Sequence, residues 1–134
     1  MTEHTTILDR AVGAVLDRAV GAVLGSAAGD ALGAGYEFGP PVPEPTPILM
    51  QGGGSFGWRP GEWTDDTSMA VPILQAVARG DDPAAEPTLD GLVGAWAQWA
   101  LDAPDVGIQT REVLSGLEAH TAAASRVAAR RVHE

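Results

Sequence analysis

Apolar residues recur along this chain three and four positions apart, and nowhere do they alternate with polar ones over a useful length. That spacing matches one face of a helix and leaves no candidate strand, so the expected class is all-α. A first helix is expected over residues 6–33, with Thr5 or Thr6 as its cap and Ile7, Leu8, Val12, Val15, Leu16, Val20, Val23 and Leu24 at helical spacing. Inside it sits a tandem repeat: residues 8–15 read LDRAVGAV, and so do residues 16–23. At about 100° per residue, copies eight residues apart are about 80° out of phase. They cannot both offer the same face to one groove. Residues 1–15 are therefore read as a duplicated extension of the helix start, with the first copy the less well packed. A repeat this short and isolated does not make a solenoid.

Between residues 39 and 61 the pattern breaks. Pro40, Pro41, Pro43, Pro45 and Pro47 forbid regular helix or sheet, and Gly52, Gly53, Gly54 and Ser55 read as a flexible stretch. A loop of this length inside a domain is uncommon and is often functional. A second helix is expected over 64–79, capped by Thr64 and faced by Met69, Val71, Ile73, Leu74 and Val77. Pro72 should either kink it or push its start later. A third is expected from about Thr88 to Leu101, burying Leu89, Leu92, Val93, Trp96, Trp99 and Ala100. A fourth should run from near Gln109 through Leu117, followed by a helix-prone, Arg-rich stretch over 121–134.

Composition narrows the function. With 134 residues the chain suits one domain, 1–134, able to bury about two-thirds of its unfolded surface. Aromatics are 5%, so Ala, Val and Leu must build most of the core. The absence of Cys removes disulfides, thiolate metal sites and thiol nucleophiles. All basic residues are Arg, which excludes a P-loop lysine and a Schiff-base lysine. A net charge of -10 argues against a nucleic-acid partner. No basic-then-apolar leader is present, and Asp, Arg and Gly interrupt the apolar runs, so neither a signal peptide nor a membrane span is expected and the setting is read as cytoplasmic. His4, His120 and His133 lack metal-ligand spacing and read as surface residues.

Two segments carry chemistry. The first is GEWTDDTSM over residues 61–69. A hydroxyl and two adjacent carboxylates are oxygen-only ligands of the kind a hard dication takes. On a helix, Asp65 and Asp66 point about 100° apart. They can therefore reach either one metal and its water or two metals, and two ions about 3.5–4 Å apart could clamp a diol or phosphate. The same three residues also describe an ordinary capped helix whose first turn is acidic. The second segment is GSAAGDALG over residues 25–33, followed by Tyr36, Glu37 and Phe38. Its glycine spacing fits neither a dinucleotide fingerprint nor a P-loop. Glu37, between two aromatics, is read either as a carboxyl in partly apolar surroundings fit for proton transfer or as a surface glutamate.

The order GAVLGSAAGDALGAGYEF, GEWTDDTSMAVPIL, a Trp-bearing helix and APDVGIQTREVL resembles the ADP-ribosylglycohydrolase family over roughly residues 16–118. The resemblance implies an orthogonal multi-helix fold and a dinuclear Mg²⁺ site, with Mn²⁺ as an alternative. It assigns Thr64, Asp65 and Asp66 as metal ligands, with Asp65, Asp66 and Glu37 at the reaction centre and Asp30 as a structural or supporting acid. The implied reaction is water attack on the anomeric carbon of an ADP-ribosyl group carried by a protein or a small molecule, with residues 52–57 bordering the phosphates. The family's Asp-x-Asp-Thr and Gly-Asn-Gly-Ser segments do not occur in this sequence. On that ground the chain is expected to be truncated, to be impaired in hydrolysis, and to expose an apolar face suited to self-association. The alternative implied is a non-catalytic ADP-ribose or metal binder, or a structural relative like the J1 crystallins.

Overall fold

The computed structural model describes residues 2–133, and of residues 2–5 and 8 the backbone alone. The expectations for Met1 and Glu134, and for the side chains of His4, Thr5 and Leu8, lie outside the described residues. Five α-helices and one short 3₁₀ turn make up the regular structure, with no strand among the described residues. The all-α expectation holds. The chain divides into two compact units, Met1–Trp63 and Thr64–Glu134.

The first unit begins with α1, Thr2–Gly33, which continues into a 3₁₀ turn, Ala34–Tyr36. The helix runs through Thr5 and Thr6, so neither starts it. Two pairs of equivalent positions can be compared: Val12 and Val20 are 57% and 56% exposed, whereas Val15 is 56% exposed and Val23 38%, so the second copy is the better covered at its end. By length and composition alone, Asp9–Tyr36 is apolar enough to cross a membrane. This corrects the expectation that its Asp, Arg and Gly residues rule out a span; a mostly buried core helix or a signal sequence near the N-terminus meets the same criterion, and none of the 18-residue window that meets it here is buried.

Residues 37–63 are irregular, as the prolines require. The glycine stretch within them is a tight turn, contrary to the flexible reading. Gly53 N–H donates to the Trp58 carbonyl at 2.7 Å, and Trp58 N–H returns a bond to the Gly53 carbonyl at 2.9 Å. Gly52 has φ +67°, and a Cβ there would stand 2.3 Å from the Trp58 carbonyl oxygen. A Cβ on Gly35 would stand 2.1 Å from the Gly52 oxygen. Glycine here serves close backbone approach and left-handed φ rather than mobility. The unit's core is small: Ala31, Ala34 and Trp58 are buried, with Phe56 against Trp58 at 5.8 Å between ring centroids.

The second unit holds α2 (Asp65–Ala78), α3 (Glu86–Trp99), α4 (Ile108–Ser115) and α5 (Ala122–His133). Pro72 lies inside α2 without displacing its start, leaving the Ser68 carbonyl without its helical donor. α3 starts two residues early because Pro87 fits the first turn, where its missing N–H is harmless. The contact face of α2 centres on Ala76, 1% exposed, whereas Ile73, Leu74 and Val77 are exposed. That moves the expected stripe: the α2–α3 packing closes on a small residue. Leu92, Val93 and Ala97 of α3 are buried with Val106 and Ala122, while Leu89, Trp96, Trp99 and Ala100 are half-buried. Trp96 Nε1 donates to the Met69 carbonyl at 2.9 Å and ties α3 to α2. Asp90 Oδ1 accepts from Ala122 N–H at 2.7 Å, which starts α5 against α3.

Candidate active site

Thr64 is the N-cap of α2. Its backbone is extended at φ -98°, ψ -165°, its Oγ1 accepts from Asp66 N–H at 3.4 Å, and its carbonyl accepts from Ser68 N–H at 3.1 Å. The residue is 6% exposed, the most buried polar side chain described in this unit. Asp65 and Asp66 follow in the first turn, where the helix dipole favours negative charge. Asp65 is half-buried and Asp66 is exposed, as the 100° step between neighbours requires.

The segment 105–110 comes to the same place. A Cβ on Gly107 would lie 3.7 Å from Asp65 Oδ2 and 3.8 Å from Thr110 Oγ1. Gly107 is the N-cap residue of α4, so two helix N-termini meet across a residue that has no side chain. Val106 beside it is buried, as is one carboxylate oxygen of Asp105. Gly107 and Thr110 were absent from the expected site residues; the Asp-x-Gly-x-x-Thr spacing was their signal.

Glu37 and Asp30 belong to the first unit. Asp30 is half-buried in the last turn of α1. Glu37 follows the 3₁₀ turn in extended conformation, at φ -60° and ψ 137°, and is exposed. The partly apolar surroundings expected for its carboxyl are not formed in this unit. Tyr36 turns away, its OH donating to the Leu49 carbonyl and accepting from Leu49 N–H, both at 2.9 Å. Phe38 is 76% exposed and takes a left-handed φ of 60°, uncommon for an aromatic residue.

Ahead of Thr64 in sequence, Glu62 closes a turn on Arg59. Arg59 N–H donates to Glu62 Oε2 at 2.8 Å, and the guanidinium lies 3.3 Å from Oε1. The backbone N–H bond first, and then the guanidinium, hold the Glu62 carboxyl below the usual glutamate range; Glu62 in turn raises Arg59.

The donor chemistry of Thr64, Asp65 and Asp66 fits a hard dication, being oxygen throughout. Their number covers only part of an octahedral shell, and the described residues gather no group of three or more Asp, Glu, His or Cys able to hold a metal ion. His120 and His133 are exposed, in line with the surface reading.

No curated protein and no solved structure matches this chain. The profile of the ADP-ribosylglycohydrolase family matches residues 11–131, taking in α1 from its third turn, the acidic N-terminus of α2 and the segment 105–110. An all-helical chain whose Thr-Asp-Asp turn meets the Asp-x-Gly-x-x-Thr segment, matched over nearly its whole length, belongs to the ADP-ribosylglycohydrolase family.

Proposed function

We propose that this chain acts on the glycosidic bond between ADP-ribose and its acceptor, with Thr64, Asp65 and Asp66 as its contribution to a Mg²⁺ site. The supporting observation is the meeting of the Asp65 carboxylate with Gly107 and Thr110 at the acidic start of α2. A bound dication would supply charge and orientation for the ribosyl hydroxyls. The chain's own groups do the rest. Asp65 and Asp66 set negative charge where an oxocarbenium-like transition state is positive. The Thr64 hydroxyl is fixed by the cap geometry. Glu37 is assigned proton transfer with the attacking water on the strength of the family resemblance alone.

Three oxygen donors make a weak dication site, so the proposed turnover is slow compared with the about 1–10³ s⁻¹ of ordinary enzymes. The same partial donor set supports a second reading, a protein that binds ADP-ribose and Mg²⁺ without hydrolysis. Release of ADP-ribose from an ADP-ribosylated arginine or serine peptide, with and without Mg²⁺, separates the two. Slow Mg²⁺-dependent release supports the first reading. Binding without release supports the second, and release unaffected by a chelator contradicts both.

A further inference from the structure

The tandem repeat in α1 has no part in the proposed site, and its charges have no partner among the described residues. Asp9, Arg10, Asp17 and Arg18 are exposed, and none of them forms an ion pair among the described residues. Their own helix offers none. The residues three and four positions from Arg10 are Thr6, Ile7, Gly13 and Ala14; those from Asp17 are Gly13, Ala14, Val20 and Gly21.

Arg10 and Asp17 are seven positions apart, so they fall within about 20° of one another on the helix surface, about 10 Å apart along it. Thr6, Gly13, Ala14 and Gly21 share that stripe. A single LDRAVGAV copy has no such arrangement; the second copy brings its Asp into line with the Arg of the first. The stripe is complementary to itself when reversed. About a two-fold axis through the Gly13–Ala14 peptide, Arg10 of one helix meets Asp17 of the other, and Asp17 meets Arg10. This is the reciprocal pairing that an isologous dimer requires. At the crossing point a Cβ on Gly13 would meet nothing within 4 Å, so a second helix can approach closely. Ile7 and Val20, 64% and 56% exposed, flank the stripe and would be covered along the partner's sides.

We propose that α1 is a self-pairing helix, through which two copies of this chain associate antiparallel by reciprocal Arg10–Asp17 contacts. Such an interface is short, which places it with the weak, concentration-dependent associations, and its ion pairs make it sensitive to salt.

The test is a charge swap on the full chain, followed by sedimentation velocity, with circular dichroism confirming unchanged helicity. Wild type is expected to dimerise at low salt and to dissociate as salt rises. Asp17→Arg alone and Arg10→Asp alone should each weaken dimerisation at least tenfold, since each sets like charges face to face. Mixing the two variants should restore a 1:1 dimer. Val15→Asp, on the opposite side of α1, should leave association unchanged. A monomeric wild type, single variants as dimeric as wild type, or a mixture that stays monomeric would overturn the proposal. So would loss of dimer in Val15→Asp, which would assign pairing to the apolar side, or transfer of wild type to phosphatidylcholine–phosphatidylglycerol vesicles in place of dimerisation.

Discussion

Asp65 Oδ2 lies 3.7 Å from the point where a Cβ on Gly107 would stand, so the acidic start of α2 and the N-terminus of α4 share one bare patch of backbone. The relation predicts a size threshold. At 3.7 Å and 3.8 Å from its neighbours, the added methyl of Gly107→Ala makes ordinary contact, and the backbone has no left-handed φ to strain. Its stability should stay within about 0.5 kcal/mol of wild type in urea unfolding. Gly107→Val places branches against the carboxylate and Thr110, and should weaken Mg²⁺-dependent ADP-ribose binding by about tenfold or more while the chain remains folded.

Thr64 caps α2 and is proposed as a metal ligand, and the two roles separate in the absence of metal. Thr64→Ala removes the cap acceptor for Asp66 N–H and should destabilise the chain by about 1 kcal/mol with chelator present. Thr64→Ser keeps an oxygen at that position and should recover most of the loss. If Thr64→Ala lost stability only when Mg²⁺ was present, the capping role would be refuted.

How far such relations can be read from the sequence depends on how local they are. Thr64 as a cap was legible because capping needs only a hydroxyl ahead of a helical run, and the acidic first turn followed from the same residues. The approach of Asp65 to Gly107 was not, because it depends on how α2, α3 and α4 pack across more than forty positions. The α2 face was misjudged for a related reason. Periodicity marks apolar positions, yet a close helix contact selects the smallest of them, and Ala76 is buried where Ile73, Leu74 and Val77 are not. The glycines at 52–54 were ambiguous in kind: one residue type serves both loose and tightly packed backbone, and only the approach of Trp58 and Gly35 decides.

That approach gives a paired prediction. Gly52→Ala meets both a positive φ and the Trp58 carbonyl, whereas Gly53→Ala has φ +86° but open space. Gly53→Ala should cost about 1 kcal/mol, the strain of left-handed backbone alone. Gly52→Ala should cost about 2 kcal/mol more through overpacking, and should expose Trp58, seen as a red shift in its fluorescence.

A side-chain bond helps tie α2 to α3. Trp96→Phe keeps an aromatic ring but removes the donor to the Met69 carbonyl, and should lower the unfolding free energy by about 1–2 kcal/mol. An unchanged midpoint would mean that the indole ring contributes by packing alone.

A hydroxyl and two carboxylates at the start of α2 are proposed to bind a dication on which the ADP-ribosyl group is held. Calorimetric titration of ADP-ribose into the chain at saturating Mg²⁺, beside the double variant Asp65→Asn/Asp66→Asn, tests it most directly. Binding to wild type is expected, abolished by chelator and weakened at least tenfold in the double variant. Equal binding to both proteins, or binding indifferent to chelator, would contradict it.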